Sequence, residues 1–211
     1  MARARARSAT GKDELSQDSE HARRRGEIRD RARDLFMRYG YHKTTIEDIG
    51  RACGLGKAAL YHYFLGKEEI FAEAVRAEGD RILEKIRAAV DACDDPRAQL
   101  VAMVKTSFME ATGIVEELQG DRDAAALVTS LPLAARAHQE FLARQVELLR
   151  GILDTGVRRG VFKKVESPAA PLLIIAGLRS VEFLLFESPN PPSLEEAIDS
   201  LLTLFLEGIC T

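Results

Sequence analysis

The sequence predicts an all-α protein of about nine helices. Apolar residues recur at helical spacing through most of the 211-residue chain, and no segment shows the strict alternation of a half-buried strand. Glycine and proline separate the apolar stretches, as is typical of helix ends and starts. A chain of this length can bury one core or two small ones.

The first helix is predicted from about Arg25 to Tyr39, with Gly40 ending it. Residues 1–22 are rich in arginine and other polar residues and contain almost no apolar ones, so we expect a disordered basic tail there. Its arginines are candidates for contacts in the minor groove of DNA, although a simply solvated tail is the alternative: Arg3, Arg5 and Arg7.

Two short helices are predicted next, joined by Gly54-Leu55-Gly56. Thr45 is the expected N-cap of the second helix, and the third is expected from about Lys57 to Tyr63. Glycine permits the left-handed backbone that ends one helix and turns the chain into the next. Gly50 lies where the two helices would bring their backbones close together. This arrangement is a helix-turn-helix, which indicates binding to DNA.

The segment 54–59 also satisfies the G-x-G-x-x-A fingerprint of dinucleotide-binding proteins. That fingerprint requires a buried strand immediately before it. The preceding residues have helical spacing and include Glu47, Asp48 and Arg51, so we favour the helix-turn-helix.

A long fourth helix is predicted from about Lys67, linking the two halves of the chain. Four further helices are predicted over about residues 96–118, 121–131, 133–159 and 168–186, and a ninth from 194 onward. Gly160 is expected to end the seventh, and Ser193 and Glu196 are expected to form a capping box at the start of the ninth.

Charge is distributed unevenly along the chain. Residues 1–67 carry 15 Lys and Arg against 9 Asp and Glu, a balance of +6, while the remainder has a balance of −9, which together give the formal charge of −3. A positive N-terminal part attracts the phosphate backbone through counterion release, and an acidic remainder does not.

The helix-turn-helix segment resembles the TetR/AcrR family of repressors. The resemblance is carried by Thr44-Thr45, Ile49-Gly50, Cys53-Gly54-Leu55-Gly56, Leu60-Tyr61-His62-Tyr63-Phe64 and Lys67. Gly50, Gly56 and Ala58 depart from residues that are common in the family. The resemblance implies a DNA-binding domain over 23–67 and an effector-binding and dimerisation domain over 68–211. It also implies a dimer bound to an inverted-repeat operator and released by a small molecule.

Nine residues are candidates for DNA contact. Four lie at the start and on the exposed face of the third helix, where a recognition helix contacts base edges: Lys57, Ala58, Ala59 and His62. The others resemble the family's phosphate-contacting positions: Thr45, Gly56, Tyr61, Tyr63 and Lys67. Core packing is the alternative for Tyr63, and a role only at the helix start is the alternative for Lys67.

The eighth helix has little polar surface, so we expect a second copy of the chain to cover one side of it. Helices eight and nine of each subunit would then form the dimer interface, with burial within a monomer as the alternative. The expected interface residues are Leu178, Arg179, Glu182, Leu185, Phe186, Leu201 and Phe205.

The resemblance further implies an effector cavity enclosed by helices four to eight. Candidate lining residues combine soft or aromatic side chains with interior spacing, although ordinary core packing is the alternative for each: Met103, Phe108, Met109, Leu127, Phe141, Gln145, Leu149 and Phe183. The scarcity of interior charge favours an apolar effector, such as a lipid, an acyl compound or an aromatic compound.

Other classes of protein find little support. The four histidines are scattered, and neither a nucleophile elbow nor a phosphate-binding loop is present, so we expect neither an enzyme nor a cofactor. Three distant cysteines indicate neither a disulfide framework nor zinc. The sequence lacks the apolar run of a signal peptide or a membrane span, which predicts a cytoplasmic protein. A helical adaptor that binds protein rather than DNA is the remaining alternative.

Overall fold

The computed structural model describes the backbone of residues 2–117, 122–164, 167–187 and 193–209. It describes side chains for residues 18–114, 126–164, 167–180, 193 and 195–208. Nine helices lie within the described backbone, which confirms the all-α prediction: α1 Ala2–Tyr39, α2 Ile46–Cys53, α3 Lys57–Leu60, α4 Lys67–Asp91, α5 Pro96–Glu117, α6 Arg122–Ser130, α7 Pro132–Arg158, α8 Ala170–Glu187 and α9 Leu194–Ile209.

Two helix boundaries differ from the prediction. Helix α1 begins at Ala2 rather than near Arg25, and so includes most of the stretch 1–22 for which the sequence predicts a disordered basic tail. Residues 2–24 contain no proline and five each of alanine and arginine, whose helix propensity outweighs the lack of apolar residues. Helix α3 ends at Leu60 rather than Tyr63. After it the backbone tightens into turns, in which the Tyr63 N–H donates to the Leu60 carbonyl at 3.0 Å.

Glycines end two of the long helices, as predicted. Gly40, after α1, has φ = 82°, and Gly160, after α7, has φ = 72°. At Gly160 the N–H donates to the Val157 carbonyl at 3.1 Å, while the Val161 N–H donates to the Gly156 carbonyl at 2.9 Å. These two bonds form a Schellman motif, which satisfies carbonyls that the helix leaves unpaired.

The predicted capping box at α9 is confirmed. The Glu196 N–H donates to the Ser193 hydroxyl at 3.2 Å, and the Ser193 N–H donates to the Glu196 carboxylate at 2.9 Å. The hydrogen bond from the Ser193 backbone is the main cause of the lowered pKa of Glu196, and the one from the Ser193 side chain is the second. Local sequence signals therefore fixed the start of α9.

The chain divides into two compact units. The first consists of Met1–Arg76 and Asp121–Ala137, and the second of Ala77–Gly120 and His138–Thr211. The core of the first unit is formed by Ile28, Ala32, Phe36, Ile49, Leu60, Phe64, Ile70, Phe71, Leu127 and Ala134. The core of the second unit includes Ile82, Leu83, Ile86, Leu100, Met103, Val104, Phe108, Phe141, Leu149, Phe162, Ile175, Leu178 and Leu202. Each unit thus has its own apolar interior.

Candidate nucleic-acid interface

Helix α2 begins with a capping box. The Thr45 hydroxyl accepts a hydrogen bond from the Asp48 N–H at 3.1 Å, and the Asp48 carboxylate accepts one from the Thr45 N–H at 3.1 Å. The Thr45 hydroxyl also donates to the Asp48 carboxylate at 2.6 Å, and this bond is the first cause of the lowered pKa of Asp48. The N-cap prediction is confirmed. The predicted phosphate contact of Thr45 stays a prediction. Its hydroxyl already takes part in the cap.

The turn after α2 requires glycine at two positions. Gly54 has φ = 65°; its N–H donates to the Arg51 carbonyl at 3.2 Å, and the Leu55 N–H donates to the Gly50 carbonyl at 2.8 Å. A Cβ at Gly50 would lie 2.7 Å from the Leu55 carbonyl oxygen. The close approach predicted at Gly50 is confirmed, and the backbone of the turn itself excludes a side chain there. Since the preceding segment is helix α2, the dinucleotide-binding interpretation is wrong.

Apolar packing fixes the orientation of α3. Leu60 and Phe64 are buried in the core of the first unit together with Ile49 of α2. The opposite face is solvent-exposed at Lys57, Ala58, Tyr61 and His62, while Ala59 is partly buried. Lys57, Ala58 and His62 are among the four residues that the sequence predicts for contact with base edges, whereas Tyr61 is predicted to contact phosphate.

The N-terminus of α3 has no side-chain cap. Gly56 is the N-cap residue, with φ = −72°, and the first hydrogen bond of the helix runs from the Leu60 N–H to the Gly56 carbonyl at 3.1 Å. The N–H groups of residues 57–59 lie before that bond, so the helix itself supplies no acceptor for them. A helix N-terminus of this kind presents donors and partial positive charge to a phosphate oxygen.

Lys57 forms an ion pair across the turn. Its ammonium lies 2.6 Å from a carboxylate oxygen of Glu47 on α2, and both side chains are about half exposed. This hydrogen bond lowers the pKa of Glu47 and raises that of Lys57, so both groups are charged at neutral pH. The side chain predicted to contact a base is therefore bound to a carboxylate in the DNA-free protein.

Lys67, at the start of α4, binds the loop between α1 and α2. Its ammonium donates to the carbonyls of Tyr41 at 2.8 Å and Thr44 at 3.0 Å, and it lies 4.2 Å from the centre of the Tyr41 ring. Burial lowers the pKa of Lys67. An ammonium has three N–H donors, so two bonds to the protein leave one donor for the phosphate contact that the sequence predicts.

Arg25 of α1 organises the surroundings of α3, a role that the sequence analysis missed. Its guanidinium donates to the Tyr63 carbonyl and to the carboxylates of Glu69 at 3.1 Å and Glu73 at 2.6 Å. It also lies 4.1 Å from the centre of the Phe64 ring. The planar fork of arginine suits several acceptors at once. A sequence signal existed, since glutamates four residues apart lie on one face of a helix.

Tyr63 contributes its ring to packing. The ring stacks on His21 of α1 with centroids 4.9 Å apart, and the residue is partly buried against the core of the first unit. Its hydroxyl remains a candidate for the phosphate backbone, a role that stays a prediction. Tyr61, by contrast, is exposed.

The candidate effector residues fall into four groups. Met103, Phe108, Phe141, Gln145 and Leu149 are buried in the second unit.

The interior location predicted for Met109 is wrong, because its side chain is 65% exposed. Leu127 belongs to the core of the first unit, so it does not join the others. The side chain of Phe183 lies outside the described residues.

The candidate dimer residues also divide. Leu178 is only 3% exposed within its own chain, which favours the alternative of burial within a monomer for this residue, and its contact with a second subunit stays a prediction. Arg179, Leu201 and Phe205 are partly buried, and the side chains of Glu182, Leu185 and Phe186 lie outside the described residues. Three other leucines of α8 and α9 are exposed: Leu172 by 56%, Leu173 by 65% and Leu204 by 71%.

Within the described part of the chain, none of the helices combines the length and the apolar character needed to cross a membrane. Within the same residues, His, Cys, Asp and Glu form no group of three or more that could hold a metal ion.

Comparison with known proteins gives matches to transcriptional regulators. A family model described as bacterial regulatory proteins, tetR family, matches residues 28–74, the segment that contains α2, the glycine turn and α3. The transcriptional repressor KstR2 of Rhodococcus jostii (strain RHA1) is 32% identical over 146 residues, which cover 66% of this chain and 68% of that protein.

Solved structures share the fold. The ketosteroid transcriptional regulator KstR2 of Mycobacterium tuberculosis aligns with a TM-score of 0.56 and 24% identity, over 89% of this chain and 95% of the other. A regulator from Saccharomonospora viridis, solved in complex with choline, aligns with a TM-score of 0.71 and 19% identity, over 90% and 99% of the two chains. With its capped helix-turn-helix and its similarity to the Rhodococcus repressor, the chain belongs to the TetR family and is a DNA-binding transcriptional regulator, not an enzyme.

Proposed function

We propose that the protein is a repressor that binds an inverted-repeat operator as a homodimer and is released by a small apolar effector. The observation that carries the DNA-binding part is the exposed face of α3, which presents Lys57, Ala58, Tyr61 and His62 beside an uncapped helix N-terminus. We assign DNA binding to residues 23–67 and effector binding and dimerisation to residues 68–211. Relatives named as repressors support the direction of regulation.

Lys57, Ala58, Ala59 and Tyr61 each have a chemical role in this proposal. The Lys57 ammonium donates to guanine O6 or N7, and the methyl groups of Ala58 and Ala59 contact a thymine methyl. Tyr61 and the N–H groups that follow Gly56 bind phosphate oxygens, which fixes the protein on the duplex without selecting a sequence.

The dimer proposal rests on the exposed apolar side chains of α8 and α9. Leu172, Leu173 and Leu204 are large and more than half exposed in a single chain. A second copy related by a twofold axis would remove them from water. Two recognition helices related in this way require half-sites separated by roughly one helical turn of DNA or a multiple of it.

The effector proposal rests on the interior of the second unit. Gln145 is 3% exposed and lies one helical turn from both Phe141 and Leu149, which are core residues. An amide at this depth costs free energy unless it is hydrogen-bonded. A largely apolar effector with one hydrogen-bonding oxygen would suit this position. Since a similar solved regulator is named for ketosteroids, a steroid is the first compound to test.

An electrophoretic mobility shift assay with the DNA upstream of the protein's own gene tests the DNA-binding proposal. We expect specific retardation that Lys57→Ala and His62→Ala weaken, whereas Lys163→Ala, an exposed lysine of the second unit, serves as the charge-matched control for Lys57→Ala. Retardation that is equal for operator and scrambled DNA would contradict the proposal and favour the helical adaptor.

Two further measurements test the dimer and the effector. Sedimentation should give a dimer for the wild type and a monomer for Leu172→Glu/Leu173→Glu, and a wild-type monomer at micromolar concentration would contradict the dimer. Adding a steroid should release the DNA from the wild type but less effectively from Gln145→Leu. Equal release from both would remove Gln145 from the proposal.

A further inference from the structure

We propose that Glu47 is a specificity-determining residue that acts through Lys57, by reducing the affinity for non-operator DNA more than the affinity for the operator. This inference rests on the proposed contact between Lys57 and a base. The observation behind it is the 2.6 Å ion pair between the two side chains, which joins α2 to α3 across the glycine turn.

The backbone holds the two partners of this pair in position. Glu47 lies in the first turn of α2, where the helix N-terminus favours a carboxylate. Lys57 is the first residue of α3, where the same effect disfavours an ammonium unless an acid lies nearby. The turn between them is constrained by Gly50 and Gly54, so the distance between the two helices is fixed by the fold.

The neighbouring acid is already bound elsewhere. Asp48 closes the capping box with Thr45, and its other carboxylate oxygen lies 3.4 Å from Arg51. Glu47 is therefore the carboxylate of α2 that controls Lys57.

The pair matters for specificity because lysine is a compact charge on a flexible stem. A free Lys57 ammonium could bind a phosphate oxygen on DNA of any sequence. When Lys57 is paired with Glu47, the two charges cancel locally and the pair attracts phosphate less than a free ammonium would. An exposed ion pair is weak, so a guanine that presents two acceptors can displace the carboxylate. Only DNA with a suitable base at that position compensates the loss of the pair.

The test compares wild type, Glu47→Gln and Glu147→Gln by fluorescence anisotropy on the operator fragment and on scrambled DNA of equal length. Glu147→Gln is the matched control, because Glu147 is an exposed carboxylate paired with Arg150 at 2.8 Å and its loss changes the net charge equally. For Glu47→Gln we expect about threefold tighter binding to scrambled DNA and a smaller change on the operator. The salt dependence on scrambled DNA should steepen by about one phosphate neutralised.

A second variant separates action through Lys57 from direct repulsion of DNA. In a Lys57→Gln background, Glu47→Gln should no longer change the ratio of operator to scrambled affinity. If the ratio still falls, Glu47 does not act through Lys57 and the inference is wrong. Circular dichroism of each variant establishes that it is folded, and Glu47→Asp keeps the charge if Glu47→Gln fails to fold. The shorter Asp side chain should give a smaller loss of specificity in the same direction.

The outcomes distinguish this inference from the function on which it rests. Wild-type protein without any preference for the operator would contradict the proposed function. A wild-type preference that Glu47→Gln alters no more than Glu147→Gln does would leave that function intact and overturn the inference alone.

Discussion

The ammonium of Lys67 lies 2.8 Å from the carbonyl oxygen of Tyr41 and 4.2 Å from the centre of the same residue's ring. One side chain thus forms both a charge-assisted hydrogen bond and a cation–π contact with one partner. A second bond, to the Thr44 carbonyl, joins the loop before α2 to the start of α4. Lys67 is therefore a structural residue of the first unit, whatever it contributes to binding phosphate.

Replacing Lys67 with methionine should lower the free energy of unfolding by about 1–3 kcal/mol, because two carbonyls lose a charged donor. Urea denaturation measures the change. Lys43→Met is the matched control, since Lys43 is an exposed residue of the same loop and its removal changes the charge equally. Equal effects of the two substitutions would mean that the bonds of Lys67 contribute nothing to stability.

Gly50→Ala should destabilise the protein by about 1–3 kcal/mol, because the new methyl group would lie 2.7 Å from the Leu55 carbonyl and must displace the turn. Gly56→Ala provides the comparison within the same motif. There φ is −72° and no atom lies within 4 Å of an added Cβ, so we expect a smaller loss. Thermal unfolding of both variants tests whether Gly50→Ala loses more stability than Gly56→Ala. A larger loss for Gly56→Ala would show that the turn adjusts freely to a side chain at Gly50.

Two glycines of α7 should respond in opposite directions to alanine. An added Cβ at Gly156 would clash with the ring of Phe162, which is buried, so Gly156→Ala should lower stability by about 1–3 kcal/mol. Gly151 is exposed in the same helix and an added Cβ meets no atom within 4 Å, so Gly151→Ala should raise stability by about 0.5–1 kcal/mol. Chemical denaturation measures the free energy of unfolding of both variants. A change in the same direction for both would contradict this account.

The stability of the protein should decrease below about pH 6.5, partly because of His138. Burial, and then the charge of Arg179, lowers the pKa of His138 from its ordinary value of 6.5. The unfolded chain therefore binds this proton more readily than the folded protein does. The contribution is fully present above the unfolded pKa and is lost as the pH falls toward the folded one.

Substituting His138 with glutamine removes that titration. The loss of stability between about pH 7.5 and pH 5.5 should then be smaller than in the wild type, measured by urea denaturation at each pH. Glutamine is polar and similar in length to histidine. A general loss of packing would lower the stability at both pH values without changing the difference between them. An unchanged pH dependence would show that His138 does not couple folding to protonation.

Features specified by a few neighbouring residues could be predicted from the sequence. The cap at Thr45 and the left-handed glycines at 40, 54 and 160 depend on bonds that span three to five residues. The start of α1 could not be predicted by the same reasoning, because low hydrophobicity and high helix propensity indicate opposite outcomes over residues 1–22.

Contacts between distant residues were beyond sequence reasoning. Arg25 binds Glu69 and Glu73, which are 44 and 48 residues away; the spacing of the two glutamates places them on one helix face but does not identify Arg25 as their partner. Met109 was misplaced for another reason. It follows Phe108, which is fully buried, and the step of about 100° around the helix takes the Met109 side chain to the exposed face.

The bonds of Arg25 run to the Tyr63 carbonyl, Glu69 and Glu73, and not to Ala58 or His62 on the exposed face of α3. The residue that supports α3 and the residues predicted to contact bases are therefore different side chains. Exposed positions of α3 can be exchanged in a library while the supporting framework stays intact. The protein is thus suited to selection of variants with a new target sequence, because a change in the preferred DNA sequence need not lower the stability of the fold.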